Sequence, residues 1–236
     1  MTSRPLDPAE VAATFDQWVQ DGKDRGMESH HRDVVLQLLD RARLQREHHL
    51  LDLGCGNGWT VRLAAAFLRQ GKVFGCDLSE QMIEKARGQA NPANVAFSQG
   101  SAEALPYADA SLDRVISMET VYYWPDPLAA FKEIHRVLKP GGRFLAALEF
   151  FQENPYTAHW AEALQLPLPY RSDAEYCALL QDSGFPEVRS GRLQDRRPLP
   201  EEDAFQPSRS FPDFDAYRQY RQIGALLLEA KRPDPN

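Results

Sequence analysis

The sequence predicts an α/β fold, a doubly wound parallel sheet with helices on both faces, and three observations carry it. From residue 48 onward, short apolar runs alternate with amphipathic stretches, the pattern of repeated strand–helix–strand units. A glycine-rich turn, Gly54-Cys55-Gly56-Asn57-Gly58, follows the first apolar run and opens a helical stretch. An acid, Asp77, ends the next apolar run, about 20 residues on, where folds of this kind place a ligand-binding carboxylate.

The elements follow in order. Residues 9–20 carry Val11, Phe15, Trp18 and Val19 at helical spacing, which predicts a short amphipathic helix. A polar stretch with Gly22 and Gly26 leads to a second helix over 28–43, with Val34, Val35, Leu38 and Leu39 on one face. The run 48–53 ends in apolar residues that stop at glycines, as a strand does. A helix over 59–70 closes at Gly71, and 72–77 is a second strand. Ser79 is a good N-cap for a helix to Gln89. Residues 94–98 and 112–118 are strands, and 127–138 is a helix. Lys139-Pro140-Gly141-Gly142 is a stop and a tight turn. Then come an apolar strand at 143–149, a helix at 173–183 ended by Gly184, a weak strand at 187–193, a helix at 215–222 and a last strand at 225–230. Two segments break the alternation: 150–171, rich in aromatics and prolines, and 194–214, rich in prolines and charges. Long loops of this kind serve as lids or binding loops. No repeat or second domain interrupts the chain, so 1–236 is expected to be one domain.

Composition narrows the function classes. With 43% hydrophobic and 26% charged residues the chain can build a sizeable core. A net charge of −7 argues against binding a nucleic-acid backbone, where Lys and Arg must neutralise phosphates. Arg189, Arg192, Arg196 and Arg197 form the one basic cluster, but Glu187, Asp195, Glu201 and Glu202 interleave with it, as on a solvated face. Three cysteines without a C-x-x-C spacing make no disulfide framework and fit a reducing compartment. No cluster has metal-ligand spacing. Met1–Glu10 has no apolar stretch like that of a secretory leader and no run reaches membrane length, so a cytoplasmic location is expected.

The glycine turn carries the chemistry. It reads D-x-G-x-G-x-G from Asp52. A dinucleotide fingerprint, G-x-G-x-x-G, wants a glycine at position 59. That position is Trp59, which counts against a nicotinamide-dependent dehydrogenase. Asp77 stands where an acid accepts hydrogen bonds from ribose hydroxyls. Alone, the loop could be a tight turn and Asp77 a helix-start acid before Ser79; together they point to an adenosine site.

These residues resemble the class I S-adenosylmethionine (SAM)-dependent methyltransferases, in the group that includes ubiquinone- and menaquinone-biosynthesis-like enzymes. Asp52–Gly58, Gly75-Cys76-Asp77-Leu78-Ser79, Gly100–Tyr107, Leu112–Ile116 and Leu138–Gly142 carry the resemblance, which covers about residues 48–150. It implies a Rossmann-like sheet of seven strands, mostly parallel with the last antiparallel. It also implies SAM as cofactor, with S-adenosylhomocysteine as its product. Asp52, Gly54, Cys55 and Gly56 would lie against the methionine part, Asp77 would hold the ribose, Leu78 would pack on adenine, and Ala102 would offer it backbone groups. The group usually has Asp where this chain has Ser101; a hydroxyl accepts the adenine amino group more weakly.

For the transfer itself, alignment of acceptor and methyl supplies most of the acceleration, because the sulfonium is already a good leaving group. Glu119, at the end of the fourth strand, is a candidate for a polar group near the methyl or for holding the ammonium of SAM; the other reading is a helix-start acid. His30 and His31 are candidate bases, or merely paired surface histidines. Tyr122, Tyr123 and Trp124 could face the sulfonium or pack the next helix. Aromatics at 150–171 suit a small apolar or aromatic acceptor. A tRNA or protein methyltransferase and a non-catalytic SAM-binding module are the rivals. Residues 9–31 carry large apolar side chains that need cover, and they are expected to fold over the crevice as a lid, bringing Glu28, His30 or His31 near the methyl.

Overall fold

The computed structural model describes residues 4–234. Its seven strands are β1 (Leu50–Leu53), β2 (Val73–Asp77), β3 (Val95–Gln99), β4 (Leu112–Met118), β5 (Leu138–Leu148), β6 (Glu187–Leu193) and β7 (Ala225–Lys231). They form one sheet in the order β3-β2-β1-β4-β5-β7-β6. β1 to β5 run parallel, while β7 is antiparallel to both β5 and β6.

The central strands are apolar at consecutive positions because both faces of the sheet are covered. Successive side chains point to opposite faces, so neighbours in sequence part into two cores. Leu51, Val115, Phe144, Ala146 and Leu228 belong to one; Leu50, Ile116, Leu145, Ala147 and Leu227 belong to the other. Helices α5 (Pro127–Val137) and α7 (Asp173–Asp182) fill the first with Phe131, Ile134, Tyr176 and Leu180. Helices α2 (Met27–Arg41) and α3 (Trp59–Ala65) fill the second with Val34, Val35, Leu38, Val61 and Ala64.

Helix starts follow their caps. Asp7 accepts the Ala9 N–H and Pro8 opens α1 (Pro8–Gln20). As expected, Ser79 caps α4 (Glu80–Arg87) by accepting from Met82 N–H. Ser172 and Glu175 form a reciprocal capping box on α7. Asp213 caps α8 (Phe214–Ile223).

Three expectations are corrected. The third helix ends at Ala65 rather than at residue 70, because the chain turns so that Gln70 and Gly71 N–H donate to Arg46 carbonyl. Lys139–Gly142 is a bulge inside β5 rather than a turn before it. Leu112 pairs with Leu138 while Arg114 pairs with Arg143, and the extra residues are pinned by hydrogen bonds between Gly141, Gly142 and Arg232. Within 150–171 the chain adds a short helix, α6 (Trp160–Leu164).

Candidate active site

The strand order reverses between β1 and β4, and the carboxyl ends of these strands open the crevice where α/β folds bind ligands. The glycine loop lies at that opening. Gly54 and Cys55 N–H both donate to Cys76 carbonyl, at 2.7 and 3.1 Å, which turns the loop across the end of β2. Gly54 (φ 80°) and Gly58 (φ 79°) take left-handed conformations. At Gly54 a side chain has no room: a Cβ would lie 2.2 Å from Thr120 Cγ2. Asp77 ties the loop down from the neighbouring strand. Its Oδ2 accepts Gly56 N–H at 2.8 Å and its Oδ1 accepts Ser79 N–H at 2.9 Å.

A cavity of about 430 Å³ opens over this loop. All the residues expected at the cofactor line it: Asp52, Gly54, Cys55 and Gly56 at the β1 end, Asp77 and Leu78 at the β2 end, Ser101 and Ala102 beyond β3, and Glu119 at the β4 end. Two act differently from expectation. The Cys55 thiol belongs to the second apolar core, where burial pushes it well above its ordinary range; this leaves backbone as what Cys55 offers the cavity. The Ser101 hydroxyl donates to the Glu103 carboxylate, whose other oxygen accepts Asp126 N–H at 3.2 Å. Glu103 also lines the cavity, so a carboxylate stands two residues from the position where the resemblance looked for one.

The electrostatics suit a cation. Asp52 is 2% exposed, and among the described residues nothing donates a hydrogen bond to its carboxylate. Burial, then the charge of Asp77, pushes Asp52 up to about 8. Burial also raises Asp77, against the opposing effect of the N–H groups of Ser79 and Gly56.

Glu119 sits in left-handed backbone, φ 58°, a strained setting for a residue with a side chain and one that clusters at functional sites. Its carboxylate accepts Tyr122 O–H and Glu149 N–H, each at 2.6 Å. Glu149 in turn accepts Tyr220 O–H at 2.6 Å. Burial raises Glu119 well above the carboxylate range, and the charge of Glu149 adds to this. Tyr122, Tyr123 and Trp124 follow Glu119 closely in the chain. They are buried in the first core and also line the cavity.

The N-terminal segment covers the crevice. Val11, Phe15, Trp18, Met27 and His31 form one wall of the cavity, with Phe15 edge-on to Tyr123 at 4.9 Å. Asp24 anchors the segment. It is fully buried, receives Lys85 at 2.7 Å and Asn57 Nδ2 at 3.0 Å, and so ties the cover to the glycine loop. Trp160 and Leu164 of α6 also line the cavity.

Of the three residues expected near the methyl from this segment, the structure brings only His31 to the cavity. His30 turns away, its Nδ1 held by Gly26 carbonyl at 2.7 Å. Glu28 is paired with Arg32 on the exposed side of α2. Adjacent positions on a helix point about 100° apart, so His31 faces this cavity while His30 does not, and Glu28 is held by its ion pair with Arg32.

Three of the four arginines of the basic cluster are ion-paired within the chain. Arg192 pairs with Asp173, Arg196 with Asp33 and Arg197 with Asp195. Among the described residues no group of His, Cys, Asp or Glu could hold a metal ion, and no helix is long and apolar enough to cross a membrane. Sequence reasoning missed Thr120, Glu149, Tyr220 and the Asp24–Lys85 anchor. Glu103 was legible beside Ser101; the others carry no local signal.

Comparison with known proteins agrees with this geometry. The methyltransferase domain family matches residues 51–146. The chain is 31% identical over 219 residues to the 27-O-demethylrifamycin SV methyltransferase of Amycolatopsis mediterranei, covering 81% of this chain and 79% of that protein. It is 45% identical to the demethylmenaquinone methyltransferase of Lactococcus lactis over 98 residues, 40% of this chain and 39% of that one. Among solved structures it resembles a chain of the complex between the Haloferax volcanii Trm112 methyltransferase activator and its methyltransferase. There the TM-score is 0.86 and the identity 33%, over 93% of this chain and 97% of that one.

Proposed function

Because this chain belongs to the class I SAM-dependent methyltransferases, we propose that it transfers the methyl group to a small organic acceptor held beside Glu119 and His31. The observation that carries the reading is the mostly apolar lining of the cavity. Its lining includes Phe15, Trp18, Met27, Trp160 and Leu164, apolar surface that suits a small apolar molecule better than a macromolecular strand. The pairing of Arg192, Arg196 and Arg197 with acids of the same chain supports the same reading.

The residues present fit the methyl donor, which is consumed as a substrate and carries two cationic centres, an ammonium and a sulfonium. Asp52 and Glu119 provide buried carboxylates for a cation, Asp77 keeps lone pairs free for a diol, and Gly54 and Gly56 bring backbone close. Glu103 takes the adenine-facing role that Ser101 leaves open. The donor supplies an activated methyl; the protein aligns it with the acceptor and keeps water out.

A methyl-transfer assay with labelled SAM tests the proposal against small molecules, tRNA and protein from cell extract kept apart. One arm includes a Trm112-type activator, since the Haloferax volcanii chain was solved with one. Label is expected in the small-molecule fraction. Label confined to tRNA or protein would overturn the small-acceptor reading, and no transfer to any fraction would favour a non-catalytic binding role.

A further inference from the structure

A second cavity, of about 400 Å³, adjoins the first, and His31, Trp160 and Ser210 line both. Two kinds of element form it. Val34 of α2 and Glu149, just after β5, belong to the packed body of the protein. Asp195, Arg197, Phe211 and Tyr220 belong to the chain between β6 and β7.

That stretch, residues 194–224, stands apart from the rest of the fold. None of its residues is buried, those of α8 included, whereas Leu193 and Ala225, which flank it, are buried. Its rings pack on one another. Phe205 stacks on Tyr217 at 5.5 Å, and Phe211 lies 5.2 Å from Tyr217 and 4.7 Å from Tyr220. Ile223, beside the return strand, packs against the first core. The stretch is therefore an arm with a small apolar cluster of its own.

Both ends of the arm meet at one point. Leu193 and Ala225 are partners in the β6–β7 ladder, and Gly224 beside them takes φ 69°. A Cβ at Gly224 would lie 2.6 Å from Leu193 carbonyl, so glycine is what lets the two ends leave the sheet so close together. A segment that leaves and re-enters a sheet at one pair can swing there without breaking the ladder behind it.

The arm's contacts with α2 and α6 are polar. Asp33 of α2 receives Arg196 backbone N–H at 2.8 Å, its Nε at 3.2 Å and its Nη2 at 2.9 Å. Arg197 donates to the carbonyls of Ser29 and His30, and Gln37 Nε2 donates to Gln194 carbonyl at 2.8 Å. Arg209 pairs with Glu162 of α6 at 2.7 Å. At the Asp33 latch the Arg196 side chain is 63% exposed, where water competes for each bond and an ion pair holds weakly. An arm that is closed by solvated contacts opens more easily than the sheet it hangs from.

We infer that residues 194–224 are a gate, which swings on the β6–β7 pair, lets go of α2 and opens the second cavity to solvent. The first cavity then has an entrance for small molecules apart from the N-terminal cover. The two are fastened at different places. Asp24 ties the cover to Lys85 and Asn57 on the glycine-loop side, while Asp33 ties the gate to Arg196. An acceptor can enter, and its product leave, while the methyl donor stays covered. That order of events rests on the first cavity being the donor site; the opening of the gate does not.

Hydrogen exchange with peptide mapping on the whole chain tests the gate. A helix of ten residues does not keep its hydrogen bonds once released, so the amides of α8 report the opening. In the wild type they are expected to exchange at least about tenfold faster than those of β7. Asp33→Ala should speed them about threefold or more, and higher ionic strength should act in the same direction, with β7 and α1 unchanged. S-adenosylhomocysteine should slow exchange in α1 and leave α8 as it is. For a second measurement, Val34→Cys puts a thiol on the buried lining of the cavity, and adding Arg196→Gln should raise its labelling by a thiol reagent about threefold. Melting curves show whether each variant folds; should Val34→Cys not fold, the exchange data decide alone, and should Asp33→Ala not fold, the wild type at two ionic strengths takes its place. Amides of α8 as slow as those of β7, or unmoved by Asp33→Ala, would overturn the gate, as would equal labelling with and without Arg196→Gln. Ligand protection of α8 as strong as that of α1 would join gate and cover into one lid and overturn the separate entrance. Failure of the wild-type chain to bind S-adenosylhomocysteine would instead overturn the reading of the first cavity.

Discussion

Gly54→Ala is the sharpest probe of the crevice. The residue sits at φ 80°, where a side chain costs roughly 1–2 kcal/mol. The added Cβ would also lie 2.2 Å from Thr120 Cγ2, 2.7 Å from its Cβ and 2.8 Å from its Oγ1, where ordinary contact begins at 3.4 Å. Thr120 cannot swing aside freely, because its hydroxyl is engaged with Ser117 and with Leu53 carbonyl. The loop or β4 must therefore shift by about 1 Å, an overpacking cost of roughly 1–3 kcal/mol. The two contributions together predict a loss of about 2–5 kcal/mol. Urea unfolding measures it by linear extrapolation, and calorimetry with S-adenosylhomocysteine should show binding weakened about tenfold or more, since the displaced backbone is the part that approaches the ligand. Adding Thr120→Gly removes all three close atoms. The double variant should recover the overpacking share, about 1–3 kcal/mol, and keep the backbone share. A Gly54→Ala chain with unchanged stability and unchanged affinity would refute the loop geometry.

Three further outcomes are expected. Asp52 is raised to about 8 in the folded chain against 3.8 in its ordinary state, so its contribution to stability is full below about pH 4 and lost as pH rises toward about 8; urea melts across that range should show the slope, and Asp52→Asn should flatten it. Asp77→Ala removes the proposed acceptor for the ribose and also releases Gly56 and Ser79 N–H, so calorimetry should show a loss of about 1.5–3 kcal/mol in cofactor binding together with a lowered melting temperature, whereas equal affinity would remove Asp77 from the site. Lys85→Met leaves the fully buried Asp24 carboxylate short of its charged partner, and protease cleavage within residues 20–31 should become faster than in wild type, with S-adenosylhomocysteine slowing it in both; cleavage indifferent to the ligand would leave the segment as a permanently packed helix pair rather than a lid.

How much of the site was legible follows from how local each signal is. The glycine loop and Asp77 could be read because backbone that must turn sharply, next to a ligand, demands glycine at fixed spacing, and because the next strand of the fold delivers its acid at a fixed distance. His31 could be narrowed only to a pair, since helical phase, not composition, chooses which of two adjacent histidines faces in. The flap at 150–171 was recognisable as apolar and aromatic, yet its helix α6 was not, being only five residues long and held by packing rather than by a cap.

The sequence by itself determined the class of fold, the strands and most helices, the glycine turn and the choice of methyl donor, because each rests on periodicity or on residues close together in the chain. Tertiary structure decided what meets around the crevice. Glu119, Glu149 and Tyr220 join there through hydrogen bonds spanning 30 and 71 positions, and His31 and Arg221 face one cavity from opposite ends of the chain. Nothing in the local sequence records such meetings. They arise because the antiparallel β7 and the helix before it return the C-terminal segment to the crevice already covered by the N-terminal one, and burial there makes the carboxylates depend on hydrogen-bond donors from distant parts of the chain.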